Sequence, residues 1–500
     1  MRLEQAFARI ATERDEHLAV SVVGGGSLTY GELHARATHY AAALQASGIV
    51  EGDRVGIVSR HNAEAIALFW GVMTAGAIVV WMNDDAKGKD LPAVCASADP
   101  KLIVVQGEKQ QRLFANNDEM YERVMELEVL AGMAVLPPEP ITGDENAPAV
   151  IVYTSGSSGR PKGVCLSHKN LYTVDRSVIE HMPITPDDIY LMVVPLHYVH
   201  GIMQLTVHLL AGATLHFHDS FLFPAQVVDA LVNLRCTGFS GVPFHFNALM
   251  TRGSLLDREL PDLRWVTVTG GKLPADAILT ISDRFPELEF HIAYGQTECA
   301  PRATALKPDR IRRKPDSVGS PIPNVNVEII GNDNTPVPQG QKGEVVVSGD
   351  NIMLGYWNDP ETTAEAIDDQ GRLRTGDIGY FDDEGDLFLV GRRSAMIKSA
   401  GERIVPEEIE RVLDAHPAVM ESVVIGVADD MLGQRVVAHV RVEAQASLDD
   451  ALGAELRTHC LRTIPLPRAP REFHLCRDFP RKANGKPDRV ALASLGAENA

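Results

Sequence analysis

The chain has 500 residues, and 47 Lys and Arg against 67 Asp and Glu give it a formal charge of −20. Five hundred residues are too many for one ordinary core, which predicts two or more domains. The acidic balance argues against nucleic acid and anionic membrane surfaces as partners, because their phosphates need a basic face.

The chain opens with MRLEQAFARIATERDEHL, which carries charges throughout and lacks the apolar stretch of a signal peptide. LTYGELHARATHYAAALQASGI follows as an amphipathic helix. Thr29 and Glu32 stand at capping-box spacing, Tyr30, Leu33, Ala37, Tyr40, Ala41 and Leu44 recur at helical spacing, and Gly48 ends it. DRVGIVS reads as a strand and HNAEAIALFW as a helix. The uncharged run Ala65–Met82 has the length of a bilayer span. Gly71 and Gly76 interrupt it, however, and GAIVVWM is rich in β-branched residues, so it reads as a buried helix, a turn and a buried strand. Strand and helix alternate onward through AVIVYTS, ATLHFHD and LRWVTVTGG, which predicts parallel sheets covered by helices.

After about residue 340 the texture changes. GEVVVSGDNIMLGYW and GDLFLVGRR read as short twisted strands. VPEEIERVLDAHP is a helix opened by Pro406, with acidic residues in its first turn, and ESVVIGVA and QRVVAHVRVE are strands. The expected fold is α/β. A large N-terminal domain of helix-covered sheets with a twisted small-strand subdomain spans 1–393, and a small α+β domain spans 394–500. The six cysteines lie far apart with no C-x-x-C, which predicts reduced thiols in a cytoplasmic protein.

The stretch YTSGSSGRPKGV, Tyr153–Val164, follows an apolar strand. It does not fit the G-x-x-x-x-G-K-[ST] phosphate loop. It still offers hydroxyls at Thr154, Ser155, Ser157 and Ser158, glycines at Gly156 and Gly159 that admit backbone N–H groups to an anion, and a cation at Lys162. A plain linker needs none of these after a buried strand, so phosphate binding is the expected role.

Together with LSHKNL just after it, this stretch resembles the signature of the AMP-forming adenylating superfamily of acyl-CoA synthetases, adenylation domains and luciferase-type enzymes. The resemblance runs over nearly the whole chain. In AYGQTECAP it implies that the Tyr294 ring stacks on adenine, that Gly295, Gln296 and Thr297 lie at the nucleotide with Thr297 at the AMP phosphate, and that Glu298 helps to hold Mg²⁺. In TGGKLP, Gly270, Gly271 and Lys272 resemble the adenine-side strand end, with Gly270 also at the acid pocket. Asp377 in RTGDIGYFDDEG matches the aspartate that accepts both ribose hydroxyls, and Arg392 in LVGRR matches the arginine that also reaches the ribose. Ser394 stands where the family usually has a hinge Asp or Lys. Lys486 in FPRKANGKPDR matches the mobile catalytic lysine, and Lys398 and Gly401 in KSAGER match the segment beside the pantetheine channel.

The implied chemistry is activation of a carboxylic acid by ATP to an acyl-adenylate, then transfer to a thiol with release of AMP. VPLHYVHGI resembles the acid-pocket segment, with His197 at the usual aromatic position, Tyr198 at the usual histidine position, and Val199 beside them. The carboxylate that amino-acid-activating relatives place near Val199 is absent, and a buried unpaired ammonium would be costly. FSGVPFHF, with Phe239, adds apolar surface. The expected substrate is an acid without an α-amino group, apolar aliphatic or aromatic. His197, His200, His216 and His218 lack a Cys or carboxylate to complete a metal shell and read as pocket wall and strand positions. The expected acceptor is CoA, and the alternative is the phosphopantetheine of a carrier protein, towards which NGKPDR leans. A nucleotide-binding sensor is the non-enzymatic reading. The presence of Lys486 speaks against it, since a binder has no need of that lysine.

Overall fold

The computed structural model describes residues 1–500 apart from 24–25, 84–89, 116, 156–160, 219, 400–401, 430, 443–447, 467, 482–486 and 498–500. Local sequence signals set the first helices. Thr29 Oγ1 accepts from the Glu32 N–H at 3.2 Å, and Glu32 Oε2 accepts from the Thr29 N–H at 2.9 Å, which closes the capping box. The helix runs Tyr30–Ala46, and Gly48 sits at φ 84° just beyond it. The uncharged run resolves into helix Ala63–Thr74, a turn with Gly76 at φ 80°, and the buried strand Ile78–Trp81. Among the described residues no helix is long and apolar enough to cross a membrane.

The chain divides into two compact units. The first comprises Met1–Val327 and Val346–Arg374, the second Glu328–Val345 and Thr375–Ala500. The first unit holds a nine-stranded and a seven-stranded sheet among the described residues. In the nine-stranded sheet, strands Ile189–Met192, Gly238–Gly241, Trp265–Val268 and Glu289–Tyr294 are neighbours and parallel. Their carboxyl ends therefore open on one edge, the usual ligand edge of such sheets. The segments beginning at Val193, Val242, Thr269 and Gly295 all leave the sheet there. Core packing beneath that edge is apolar, with Phe239, Phe246, Phe290 and Leu249 each 1 % exposed.

The sheets also have antiparallel margins that the alternation of elements did not indicate. Thr304–Leu306 pairs antiparallel with Glu289–Tyr294. In the seven-stranded sheet Pro148–Ser155 pairs antiparallel with Pro161–Ser167, and Gly355–Tyr356 closes the edge on the latter. The strands that flank the glycine-rich stretch thus pair as a β-hairpin. Helix His168–His181 begins only after the second strand, capped by Ser167 and Asn170.

In the second unit, helix Pro406–Asp414 starts with proline and carries Glu407 and Glu408 in its first turn. Strands Val419–Asp429 and Gly433–Val442 form a long antiparallel pair, and Glu472–Cys476 adds to it in parallel. The end of strand Leu373–Phe381, from Asp377, pairs antiparallel with strand Leu387–Arg392.

Gly201 shows how tightly the first unit is drawn together at its ligand edge. A Cβ there would lie 2.3 Å from the Pro195 carbonyl oxygen, the atom that accepts from the Tyr198 N–H. Gly201→Ala is expected to cost about 1–3 kcal/mol, because the clash is with backbone that cannot rotate away. Urea denaturation checks this, and an unchanged midpoint would contradict the close approach.

Candidate active site

The hairpin places Lys162 on its second strand, in register with Thr154, with Ser155 opposite Pro161. Gly156, Ser157, Ser158 and Gly159 lie outside the described residues. Lys162 is half-buried, and its Nζ stands 5.0 Å from the centre of the Tyr356 ring, a cation–π distance. The Tyr356 hydroxyl donates to Glu298 Oε1 at 2.8 Å. One tyrosine therefore joins the lysine of the hairpin to the carboxylate expected at the metal. Burial, followed by the neighbouring Glu298 charge, raises the phenol well above its ordinary range, so it remains a donor at neutral pH.

The backbone fixes the same junction. Glu298 lies in the short 3₁₀ turn Thr297–Cys299, and its carbonyl accepts from the Met353 N–H at 3.0 Å. Asn351 Nδ2 donates to the Cys299 carbonyl at 3.2 Å. Asn170 Nδ2 donates to the carbonyls of Asp350 and Ile352, each at 2.8 Å. The stretch 350–357 is thus bonded both to the helix after the hairpin and to the turn that carries Glu298. In the sequence GDNIMLGYW reads only as a short strand. The Gly-Tyr pair on an edge strand beside Lys162 was the available signal, and its partner lies far away in sequence.

Tyr294 ends its strand at 9 % exposure, while Gly295, Gln296, Thr297 and Glu298 are half-buried. Gly270 takes φ 78°, and a Cβ there would stand 3.3 Å from Val242 Cγ1. Gly271 and Lys272 are exposed, and Lys272 Nζ pairs with Asp316 at 2.6 Å. His197 and Tyr198 are half-buried with ring centres 4.2 Å apart, and Val199 is buried at the start of helix Val199–Ala211. Phe239 belongs to the apolar cluster beneath the edge, and Tyr198 packs against that cluster. Ser240 points elsewhere: its hydroxyl lies 3.2 Å from His200 Nε2 and donates to the Thr267 carbonyl at 3.1 Å.

In the second unit Asp377 and Arg392 are opposite each other in register, and Arg392 Nε donates to Asp377 Oδ1 at 2.8 Å. Asp377 is 5 % exposed, and its N–H bonds to Thr375 Oγ1. Lys398 is exposed on strand Ile397–Ser399. Gly401 and Lys486 lie outside the described residues, as does the side chain of Ser394.

The chain matches the family model described as AMP-binding enzyme over residues 7–357 and the AMP-binding enzyme C-terminal domain over residues 408–486. It belongs to the AMP-binding enzyme family. The resemblance read from the motifs, and the α/β fold with a large N-terminal and a small C-terminal domain, hold for this family member. It is 30% identical to a sulfoacetate–CoA ligase of Cupriavidus necator over 97% of this chain and 96% of that protein. It is 34% identical to a feruloyl-CoA synthase of an Amycolatopsis species over 87% of this chain and 88% of that one. The solved structure of ATP-bound MatB from Rhodopseudomonas palustris matches with a TM-score of 0.89 at 28% identity, covering 99% of each chain.

Mg²⁺ prefers oxygen ligands and commonly takes only one or two carboxylates beside phosphate oxygens. Among the described residues no group of three or more His, Cys, Asp or Glu could hold a metal ion. Glu298, with its carboxylate held by Tyr356, fits the part of a single protein ligand to a nucleotide-bound ion. Tyr356→Phe keeps the ring under Lys162 and removes the donor to Glu298. It is expected to lower acid-dependent pyrophosphate release about 10–100-fold, the loss of one hydrogen bond to a charged group, with folding stability little changed. Raising Mg²⁺ should recover part of that loss. A deficit equal at every Mg²⁺ concentration would contradict the link through Glu298.

Proposed function

We propose that this AMP-binding enzyme is an acid–thiol ligase. It activates a carboxylic acid without an α-amino group on ATP, giving an acyl-adenylate and pyrophosphate, and then transfers the acyl group to CoA with release of AMP. The observation that carries this reading is the joining of Lys162 and Glu298 through Tyr356, at the edge where Tyr294 ends its strand. The relatives named above, a CoA ligase and a CoA synthase, support CoA as the acceptor.

A carboxylate acylates poorly because its leaving group would be oxide. Its oxygen attacks the α-phosphorus of ATP, and the bond to pyrophosphate breaks. The obstacle is that one anion must approach another. Lys162 and the hairpin hydroxyls hold the departing β- and γ-phosphates, and Lys486 offsets charge at the reacting phosphate. Mg²⁺ at Glu298 would add charge stabilisation as a Lewis acid. Asp377, fixed by Arg392, accepts the ribose hydroxyls, and Tyr294 offers its ring to adenine. For the second step we assign residues 394–500 as the mobile part, pivoting at Ser394, with Lys398 and Gly401 serving the thiol. We place this work in the cytoplasm, on the evidence of six separated cysteines without a disulfide. Loading of a carrier protein is the second reading, supported by NGKPDR.

Lys486→Ala is expected to lower acyl-AMP formation by at least about 100-fold, while thioester formation from supplied acyl-AMP stays largely intact. Gly401→Leu should do the reverse. Separate assays of the two half-reactions check both, and equal loss in each variant would contradict the assigned division of labour.

A further inference from the structure

Three arginines are buried among the described residues: Arg2, Arg302 and Arg372. Arg2 Nε bonds Glu4 at 2.6 Å, and Arg372 Nε bonds Asp368 at 2.9 Å. Arg302, at 3 % exposure, has no carboxylate partner among the described residues, and its Nη1 has no hydrogen bond. Burial lowers its pKa to about 10, so it stays cationic at neutral pH. Isolating a charge in this way costs several kcal/mol unless a counter-ion arrives.

The rings around it supply no anion. The Arg302 charge acts on His181, His200, His208 and His291, each already held below its ordinary range by desolvation, at about 4, 3, 4 and 3. All four are therefore neutral at pH 7. Tyr190, fully buried, also neighbours Arg302, and burial raises its phenol far above the ordinary range, so it is neutral and supplies no anion.

The position of Arg302 follows from the backbone. Ala300, at φ 53°, turns the chain back after the 3₁₀ turn, and the Ala303 N–H bonds the Tyr294 carbonyl at 2.8 Å. The return is so close that a Cβ on Gly295 would lie 2.0 Å from the Pro301 oxygen and 2.8 Å from Arg302 Cα. Arg302 is thereby rooted directly behind the nucleotide segment. His200, which feels its charge, follows the pocket segment His197–Val199 and contacts Ser240 beside Phe239. One segment expected to line the acid pocket thus brings His200 within reach of this charge, and the other brings Ser240 against His200.

We propose that Arg302 recognises a second anionic group, a carboxylate or sulfonate, at the far end of the acid that this enzyme activates. The inference rests on the proposed acid activation and on those two segments lining the pocket. The apolar walls would then contact the body of the acid and the guanidinium its charged end. A guanidinium fork suits either oxyanion through paired hydrogen bonds.

The test compares acids of matched length: butanoate with succinate and with 3-sulfopropanoate, each supplied with ATP, Mg²⁺ and CoA. Wild type is expected to favour one of the dianions by at least about 100-fold in kcat/KM, since a site built for a polar group rejects an analogue that lacks it. Which dianion prevails separates carboxylate from sulfonate recognition. Arg302→Met should collapse that ratio towards one, and Arg302→Lys should leave it between. Thermal melts without nucleotide give a second readout. The Met variant is expected to melt above wild type, having lost an unpaired buried charge, and the preferred dianion should raise the wild-type Tm but not that of the variant. Preference for butanoate, an unchanged ratio in Arg302→Met, or a Met variant less stable than wild type would overturn the proposal. Turnover of butanoate alone overturns only this inference, whereas no acyl-AMP from any acid, including longer and aromatic monocarboxylates, overturns the ligase reading as well.

Discussion

The hydrogen bond from Tyr356 to Glu298, with Lys162 over the same ring, ties together three stretches that are remote in sequence. The hairpin brings the lysine, the turn after Glu289–Tyr294 brings the carboxylate, and the 350–357 stretch brings the tyrosine. The proposed chemistry draws on this junction, because its groups must be in place before the anions meet. A carboxylate left to rotate would reorganise at each turnover, whereas one bonded by a half-buried phenol is already oriented. The amide donors Asn170 and Asn351 fix the backbone around it.

Charge runs through the whole account. The molecule carries a formal charge of −20, yet it must accept ATP, a carboxylate and CoA, all of them anions. Overall charge sets the distant field, while fixed cations at low local dielectric act far more strongly at short range. Half-buried Lys162 and buried Arg302 in the first unit are such cations, while Arg392 in the second is exposed, and the three are held differently. Arg392 is matched by Asp377, and Lys162 lies over a ring. Arg302 is not matched by any carboxylate of the described residues, which makes it the cation with most to gain from a substrate anion.

Much of this was legible in the sequence because it is local. The capping box at Thr29, the proline start at Pro406, the glycine stops and the strand–helix alternation depend on neighbours a few residues apart, and the structure follows them. The nucleotide motifs were legible as patterns: Tyr294 ends a strand, and Thr297 and Glu298 come just after it. Tyr356 was not legible as a site residue, because its value depends on a partner in another part of the sheet. Neither was Arg302: a sequence gives an arginine but not whether a carboxylate will reach it. The antiparallel pairing of Pro148–Ser155 with Pro161–Ser167 was not legible, because strand–helix alternation indicates parallel sheets and says nothing of a local hairpin. Lys272 matched a motif and nonetheless forms a surface pair with Asp316, since a matching position does not fix where a long side chain points.

The most direct measurement of the central claim is mass spectrometry of one reaction. The purified protein would receive ATP, Mg²⁺, CoA and a pool of short, long, aromatic and dianionic carboxylic acids. An acyl-AMP intermediate, an acyl-CoA product, and AMP with pyrophosphate in equal amounts are expected. Formation of ADP and phosphate, or no acyl-AMP from any acid in the pool, would contradict the central claim.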